Sequence, residues 1–380
     1  MKITIERNLL LNKLNMVSHA LIGKTPLPVL TAIKMSVSEH GVIFIASNSD
    51  ISIRTKLTYD ELKVEETGDV AVSGKMFCDI IRMLKSPEVL IYTEDSVLKI
   101  SAGRGNYKLN LMDVDNYPNI NFDGSYDTTA IEFEGETFNN IVKNVIVSAS
   151  QSEKKPILTG INFNLTNGKL VAVATDSFRL SRITSEKDNC ADFNMTVPNS
   201  ALNELMKCID SNEKIELDIV GNSAKFTFNN TEFITRLIDG QYPNTEKLII
   251  NEFEREIEFD KEELMNASDR IMILSPSGSE KEREITYNVV TLKQTSATTA
   301  VLETQTSTGE AKEEINISVV SSKEETQNLD ITFSGKYFID ALKTFKSNKV
   351  TIKFNGSFRP FIIEGTDDKG LIQLILPVRK

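Results

Sequence analysis

Ser73-Gly74-Lys75-Met76-Phe77-Cys78-Asp79 returns 261 residues later as Ser334-Gly335-Lys336-Tyr337-Phe338-Ile339-Asp340. The match runs on through Lys85-Ser86 and Val89, which reappear as Lys346-Ser347 and Val350. A second echo sets Asn116-Tyr117-Pro118-Asn119 against Gln241-Tyr242-Pro243-Asn244, at an offset of 125. Adding 125 to Phe77, Ile80 and Arg82 lands on Leu202, Leu205 and Lys207, which keep their apolar or basic character. Two independent landmarks that share one offset point to a threefold repeat, which is sought first because it governs every later assignment. The expected repeats are 1–122, 128–250 and 251–380.

Each repeat is predicted to open with a strand and a helix, continue through strands, and carry a second helix before its last strands. After a strand at Ile3 and Ile5, the residues Leu9, Leu10, Leu14, Val17 and Leu21 recur at helical spacing. The second helix buries Phe77, Ile80, Ile81 and Leu84 on one face, with Pro87 just past its end. Val42 to Ser47 and Val89 to Thr93 are short and β-branched, as strands are. Phe138, Ile141, Val142 and Val145 mark the first helix of the middle repeat, and Leu202, Leu205 and Ile209 its second. The third repeat begins at Ile257 to Phe259, with a helix near Glu262 to Ile273. Between Ser275 and Asp330 the periodicity is weak, and strands are placed near Ile285 to Leu292, Thr299 to Gln305 and Ile315 to Val320. Two helices against many strands, three times over, give an α+β layered class.

The chain of 380 residues is 40% hydrophobic and 26% charged, with a net charge of -11, which describes a globular protein and excludes a disordered one. Such a length implies two or three domains, since single cores rarely outgrow about 250–300 residues. Neither a signal h-region at Met1 to Leu11 nor a run long enough to span a bilayer is present, so a cytoplasmic location without a membrane partner is expected. The first repeat is electrically balanced, while residues 123–250 and 251–380 carry -6 and -5. Net charge alone argues against a nucleic-acid partner, but the distribution does not. Lys75, Arg82 and Lys85 on the second helix return as Lys336, Lys343 and Lys346, and the position of Arg82 is basic in all three repeats as Arg82, Lys207 and Lys343. These cations either solvate exposed helix faces or, with the helices turned toward a common axis, form a lining that tracks phosphates without reading bases.

Chemistry has no visible carrier. Cys78, Cys190 and Cys208 and the two histidines, His19 and His40, lie too far apart for a zinc-spaced or redox pair, so neither metal nor cofactor is expected. Gly103-Arg104-Gly105 lacks the third glycine and the setting of a dinucleotide fingerprint. Asp50, Asp176 and Asp239 suggest a nuclease-type carboxylate cluster, but Asp176 and Asp239 sit in turn-like sequence where an Asx-turn role fits better.

Three further motifs, Ala174-Thr175-Asp176-Ser177-Phe178-Arg179-Leu180-Ser181, Leu237-Ile238-Asp239-Gly240-Gln241-Tyr242-Pro243 and Leu376-Pro377-Val378-Arg379, together resemble the bacterial DNA polymerase III β subunit, the replicative sliding clamp family, over the whole chain. The resemblance implies three domains of two helices packed on antiparallel sheets, closing head to tail as a homodimeric ring. It further implies a non-catalytic accessory subunit of the polymerase holoenzyme that encircles double-stranded DNA, slides along it and tethers its partners. Those partners are the replicative polymerase catalytic subunit, a clamp loader and other repair and replication proteins.

The family's peptide-binding pocket carries over position by position. Leu158, Thr175, Ser177, Phe178, Arg179, Leu180, Pro243 and Leu248 match its deeper half, closed by Leu374 and Leu376. Tyr337, Phe358, Pro360, Pro377, Val378 and Arg379 match the shallower half. A short linear peptide with one or two apolar anchors suits such a groove. Read without the family, Leu374 to Val378 is an edge strand ending in proline. Many members have Gly and His at the positions of Ser177 and Phe178, and the family's tyrosines before Leu158 are here Pro156 and Ile157. By the same resemblance Lys24, Lys154 and Lys155 join the helical cations as DNA-facing residues, and Tyr107 and Leu109 meet Ile273 and Leu274 across the dimer interface. Two rival readings are a metal-dependent nuclease and an exported β-layer repeat protein.

Overall fold

A computed structural model describes the chain except for residues 22, 24, 26, 124–130, 188–190, 251, 275–288, 307–308, 324–328 and 379–380, and the side chain of Val220. The first repeat runs β1 (Lys2–Glu6), α1 (Arg7–Ser18), β2 (Ala32–Ser38), β3 (Gly41–Ser47), β4 (Ile51–Thr58), β5 (Leu62–Glu66), β6 (Gly68–Ser73), α2 (Gly74–Met83), β7 (Glu88–Glu94), β8 (Val97–Ala102) and β9 (Gly105–Met112). The middle repeat follows with β10 (Ile131–Glu134), α3 (Gly135–Ile146), β11 (Gly160–Thr166), β12 (Lys169–Thr175), β13 (Arg179–Glu186), β14 (Phe193–Pro198), α4 (Asn199–Cys208), β15 (Lys214–Val220), β16 (Ser223–Phe228) and β17 (Thr231–Arg236). The third has β18 (Arg255–Asp260), α5 (Lys261–Met272), β19 (Val289–Gln294), β20 (Thr299–Thr306), β21 (Gly309–Ser322), β22 (Asp330–Ser334), α6 (Gly335–Leu342), β23 (Lys349–Phe354), β24 (Phe361–Gly365) and β25 (Leu371–Ile375). Apart from the extra β5, each is strand, helix, four strands, helix, three strands.

The sheets repeat as well. The four strands between the helices lie in the orders β6-β2-β3-β4, β14-β11-β12-β13 and β22-β19-β20-β21, and the others as β1-β7-β8-β9, β10-β15-β16-β17 and β18-β23-β24-β25. The chain forms two compact units, residues 1–139 with 200–238 and residues 140–199 with 239–380. In the first unit β17 pairs antiparallel with β4, from Thr231 opposite Thr55 to Thr235 opposite Ile51. In the second, β25 pairs with β13, from Arg179 opposite Ile375 to Ile183 opposite Leu371. Each seam carries a sheet from one repeat into the next, giving continuous sheets of 13 and 12 strands. The seams are sealed by buried polar groups that satisfy one another, as buried polar atoms must. At the first, the hydroxyls of Thr55 and Thr231 lie 2.8 Å apart. At the second, Gln373 Nε2 donates to the Asn144 carbonyl (2.9 Å) and Thr344 Oγ1 (3.0 Å), and its Oε1 accepts from Ser181.

Local sequence explains the elements. β8 and β16 alternate strictly between half-buried and buried positions, the period of a strand with one covered face. On α2 the residues Phe77, Cys78 and Ile81 are buried while Lys75, Met76, Arg82 and Met83 stand in solvent. Met76 and Met83 are 60% and 81% exposed. A side chain at Gly74 would place its Cβ 2.6 Å from Leu21 Cδ1, so any larger residue at this helix start would push the Leu21 side chain aside. Ser334 and Asp260 cap α6 and α5 by accepting the backbone N–H of Tyr337 and Glu263. Phenylalanines are the largest of the fully buried side chains. Phe333 packs at 4.8 Å from Phe338 and 5.1 Å from Phe361 between ring centroids, and each fully buried ring is worth roughly 1.5–3 kcal/mol.

Several expectations shift. Leu21 lies past the end of α1, and Ile80 is only half-buried on α2. Residues 285–288 of one expected strand lie outside the described residues; its continuation, β19, ends at Gln294, and β21 is longer than expected at both ends. The C-terminal strand is not an edge strand: β25 is paired on one side by β13 and on the other by β24. Its apolar residues are therefore central to the sheet, and the chain leaves the ladder only at Leu376.

Candidate docking site and basic helix faces

The turn joining β12 to β13 is organised by Asp176, whose Oδ1 accepts the N–H groups of Phe178 (2.9 Å) and Arg179 (3.0 Å), the Asx turn expected there. Ser177 consequently sits at φ +80°, a region glycine enters freely and serine does not. Thr175 Oγ1 donates to the Arg179 carbonyl (2.6 Å) and accepts the Ser177 N–H (3.2 Å). The Thr175 N–H donates to the Tyr242 hydroxyl at 3.0 Å. Burial pushes the Tyr242 phenol well above its ordinary range, so it stays protonated.

Arg179 is the girder of the region. Its Nε donates to Asp176 Oδ2 (3.0 Å), one terminal nitrogen donates to Asp340 Oδ2 (2.8 Å), and its guanidinium lies 4.2 Å from the ring centre of Tyr337. The side chain is 11% exposed, so these contacts act where water screens little. Leu158, Leu180 and Leu374 meet in one buried apolar cluster with Val173, Tyr242 and Ile362, backed by Ile157, Ile249, Phe253 and Ile372. Leu158 enters it from a short 3-10 turn, Pro156–Thr159. Large apolar groups of the same unit remain in solvent: Phe178 46%, Leu248 51% and Leu376 37% exposed, with Phe358 at 74% on the turn after β23. The Leu376 N–H donates to the Phe178 carbonyl at 3.0 Å, fixing those two together. Exposed Pro243 follows Tyr242 in the chain, Pro360 precedes β24, and the Val378 N–H past half-buried Pro377 donates to the Thr332 carbonyl (2.7 Å). Arg379 lies outside the described residues.

Among the helical cations, Lys75, Arg82, Lys85, Lys207, Lys336, Lys343 and Lys346 are all exposed, as are Lys154 and Lys155 before Leu158. Lys24 lies outside the described residues, and Lys85 and Lys346 fall beyond the ends of α2 and α6. Sequence reasoning overlooked the acids that accompany these cations. Asp79, Glu204 and Asp340 stand at one position of the repeat, three residues before Arg82, Lys207 and Lys343. Asp79 pairs with Arg82 and Glu204 with Lys207, each at 2.8 Å, whereas Asp340 is taken by Arg179. The same offset that revealed the basic position would have revealed the acidic one. Glu204 also accepts from His19 at 2.8 Å; burial opposes its charge, but Lys207 and His19 outweigh it and hold its carboxyl below the ordinary range. Tyr107 is 40% and Ile273 76% exposed, Leu274 is half-buried, and Leu109 is 8% exposed within its own sheet.

A threefold strand-and-helix repeat whose sheets run on across seams, with a buried apolar cluster beside one seam and exposed apolar side chains in the same unit, defines the clamp class of β-layered proteins. Comparison with known proteins narrows this. Family models of the DNA polymerase III beta subunit match the chain as its N-terminal domain over residues 1–121, its central domain over 132–244 and its C-terminal domain over 246–379. The beta sliding clamp of Staphylococcus epidermidis is 33% identical over all of this chain and 99% of that protein, and that of Bacillus subtilis is 32% identical over the whole of both. The crystal structure of the DNA polymerase sliding clamp from Bacillus subtilis superposes with a TM-score of 0.91 at 31% identity, covering 100% of this chain and 99% of that one. The beta subunit from DNA polymerase of Streptococcus pyogenes gives the same TM-score at 28% identity, over the whole of both chains. The chain belongs to the DNA polymerase III beta subunit family, the bacterial beta sliding clamps.

Proposed function

We infer that the protein is a replication processivity clamp: two copies close into a ring that encircles duplex DNA, slides along it and tethers the replicative polymerase. The observation that carries this reading is the family's own architecture repeated across the full chain. Ring closure has a structural rationale. Both seams inside the chain join the last strand of one repeat to the fourth strand of the preceding repeat, β17 to β4 and β25 to β13. The remaining members of that set are β9 and β21. Among the described residues, β9 from Gly105 to Asn110 pairs only with β8, and β21 from Gly309 to Asn316 pairs only with β20. Joining β9 of one copy to β21 of another repeats the same junction head to tail and closes a ring. Tyr107 and Leu109 lie on β9, and Ile273 and Leu274 follow α5, so these four are assigned to that interface.

The exposed lysines of α2, α4 and α6 and their flanks, with Lys24, Lys154 and Lys155, are assigned to the DNA side, where a sequence-independent phosphate field permits sliding. The acidic body repels DNA elsewhere. The crevice of Leu158, Thr175, Ser177, Phe178, Arg179, Leu180, Pro243, Leu248, Tyr337, Phe358, Pro360, Leu374, Leu376, Pro377, Val378 and Arg379 takes the short apolar motif of the polymerase, the clamp loader and repair proteins in turn. The chain itself is non-catalytic and cytoplasmic, uses no cofactor, and divides into domains at 1–122, 128–250 and 251–380. Loaded onto nicked circular plasmid, the protein should stay bound and be released when the plasmid is linearised. Equal retention on both forms would mean ordinary adhesion. Leu180→Ala combined with removal of residues 376–380 should abolish polymerase stimulation and leave the dimer intact; unchanged stimulation would remove the crevice assignment.

A further inference from the structure

The two seams inside the chain are built from equivalent parts, and one part is missing from the first. At the first seam Asn48 does what Asp176 does at the second: its Oδ1 accepts the N–H groups of Asp50 and Ile51, both at 2.8 Å, and β4 starts at Ile51 as β13 starts at Arg179. Glu204 on α4 occupies the repeat position of Asp340 on α6. At the second seam the space between these elements is filled by the Arg179 guanidinium, bridging Asp176 and Asp340 across the ring of Tyr337. At the first, isoleucine replaces the arginine and Ala201 the tyrosine, and a cavity of about 430 Å³ remains, lined by His19, Asn48, Asp50, Ile51, Asn203 and Glu204 among others. All of these residues belong to one compact unit.

We propose that this cleft binds the arginine side chain of a linear peptide, with the guanidinium taking the place that Arg179 fills from within the chain at the other seam. Asp50 is exposed and its carboxylate has no partner among the described residues, nor have the side chains of Asn203 and Ser200. Glu204 holds His19 and Lys207 with one bond to each oxygen, and a carboxylate accepts about four in all. Ile51 and Leu21 offer apolar wall for an aliphatic stem. A planar fork between two carboxylates and an amide favours arginine over lysine. The cleft is separate from the apolar crevice, so the inference stands whatever docks there.

The test is fluorescence anisotropy of a labelled Gly-Ser-Arg-Ser-Gly peptide titrated with the full-length protein at low salt, beside the same peptide with citrulline or lysine in place of arginine. Binding should saturate. It should weaken about tenfold or more with citrulline and in the Asp50→Asn/Glu204→Gln protein, since each removes charge-assisted bonds to the guanidinium. It should be unaltered in Leu180→Ala. The single Asp50→Asn, at an exposed position, gives the same direction if the double variant folds poorly. Absence of saturation, equal binding by wild type and Asp50→Asn, or equal binding of the citrulline peptide would overturn the proposal. So would displacement by agmatine at the peptide's own concentration, which would transfer the site to small guanidinium compounds.

Discussion

Replacing Arg179 tests whether the crevice is held by an ionic girder. Arg179→Ala removes the bond to Asp176, whose side chain is 13% exposed, the bond to Asp340, 31% exposed, and the stacking on Tyr337. The first, in dry surroundings, is worth about 1.5–3 kcal/mol. The second, partly screened, is worth about 1 kcal/mol, and the stacking about 0.5–1 kcal/mol. Together the variant should lose about 3–5 kcal/mol in urea unfolding followed by far-ultraviolet circular dichroism, with the main loss in the transition of the unit that contains β13. Arg179→Lys keeps the charge but not the fork and should lose about 1–2 kcal/mol. The decisive measurement is a double-mutant cycle with Asp340→Ala, where a coupling near 1 kcal/mol is expected. Coupling within about 0.3 kcal/mol of zero would show that the two side chains act independently, and the girder argument would fail.

Tyr242→Phe leaves ring packing intact but orphans the buried Thr175 N–H, and should lose about 1–3 kcal/mol of stability; a loss below about 0.5 kcal/mol would mean that N–H finds another partner. Ser177→Gly should stabilise the protein by about 0.5–1 kcal/mol, because relief of φ +80° exceeds the extra chain entropy of glycine, and a lower midpoint in thermal unfolding would contradict this. Burial opposes the charge of Asp368, but the Ser347 hydroxyl and the N–H groups of Lys346 and Ser347 prevail and hold its carboxyl below the ordinary range. Its stabilisation is thus complete above the unfolded pKa, about 4, and is lost as pH falls through the lower folded value. The stability gap between wild type and Asp368→Asn should therefore narrow below about pH 4, and a gap constant with pH would refute it.

What the sequence reveals depends on the range of the interaction. The offsets of 261 and 125 expose the repeat because duplicated helices keep their buried faces, as Phe77 and Phe338 do. The Asx turn at Asp176 is legible because its partners lie two and three residues away. Nothing local marks Asp340 as the partner of Arg179, since 161 residues separate them. The placement of β25 failed for a related reason: whether a strand is edge or centre is decided by its neighbours, here β13 and β24, and not by its own residues. Leu158, Leu180 and Leu374 were each identified through resemblance, but their convergence with Val173 and Ile362 belongs to the fold.

The two thioethers on the outer side of α2 give peroxide an easy first target. Sulfoxidation of Met76 and Met83 would make that helix face more polar, while Phe77 and Ile81 stay sheltered beneath it. Oxidative damage should therefore change the polarity of this surface long before it melts the protein, and methionine sulfoxide reductases, which act on accessible residues, would find both lesions within reach.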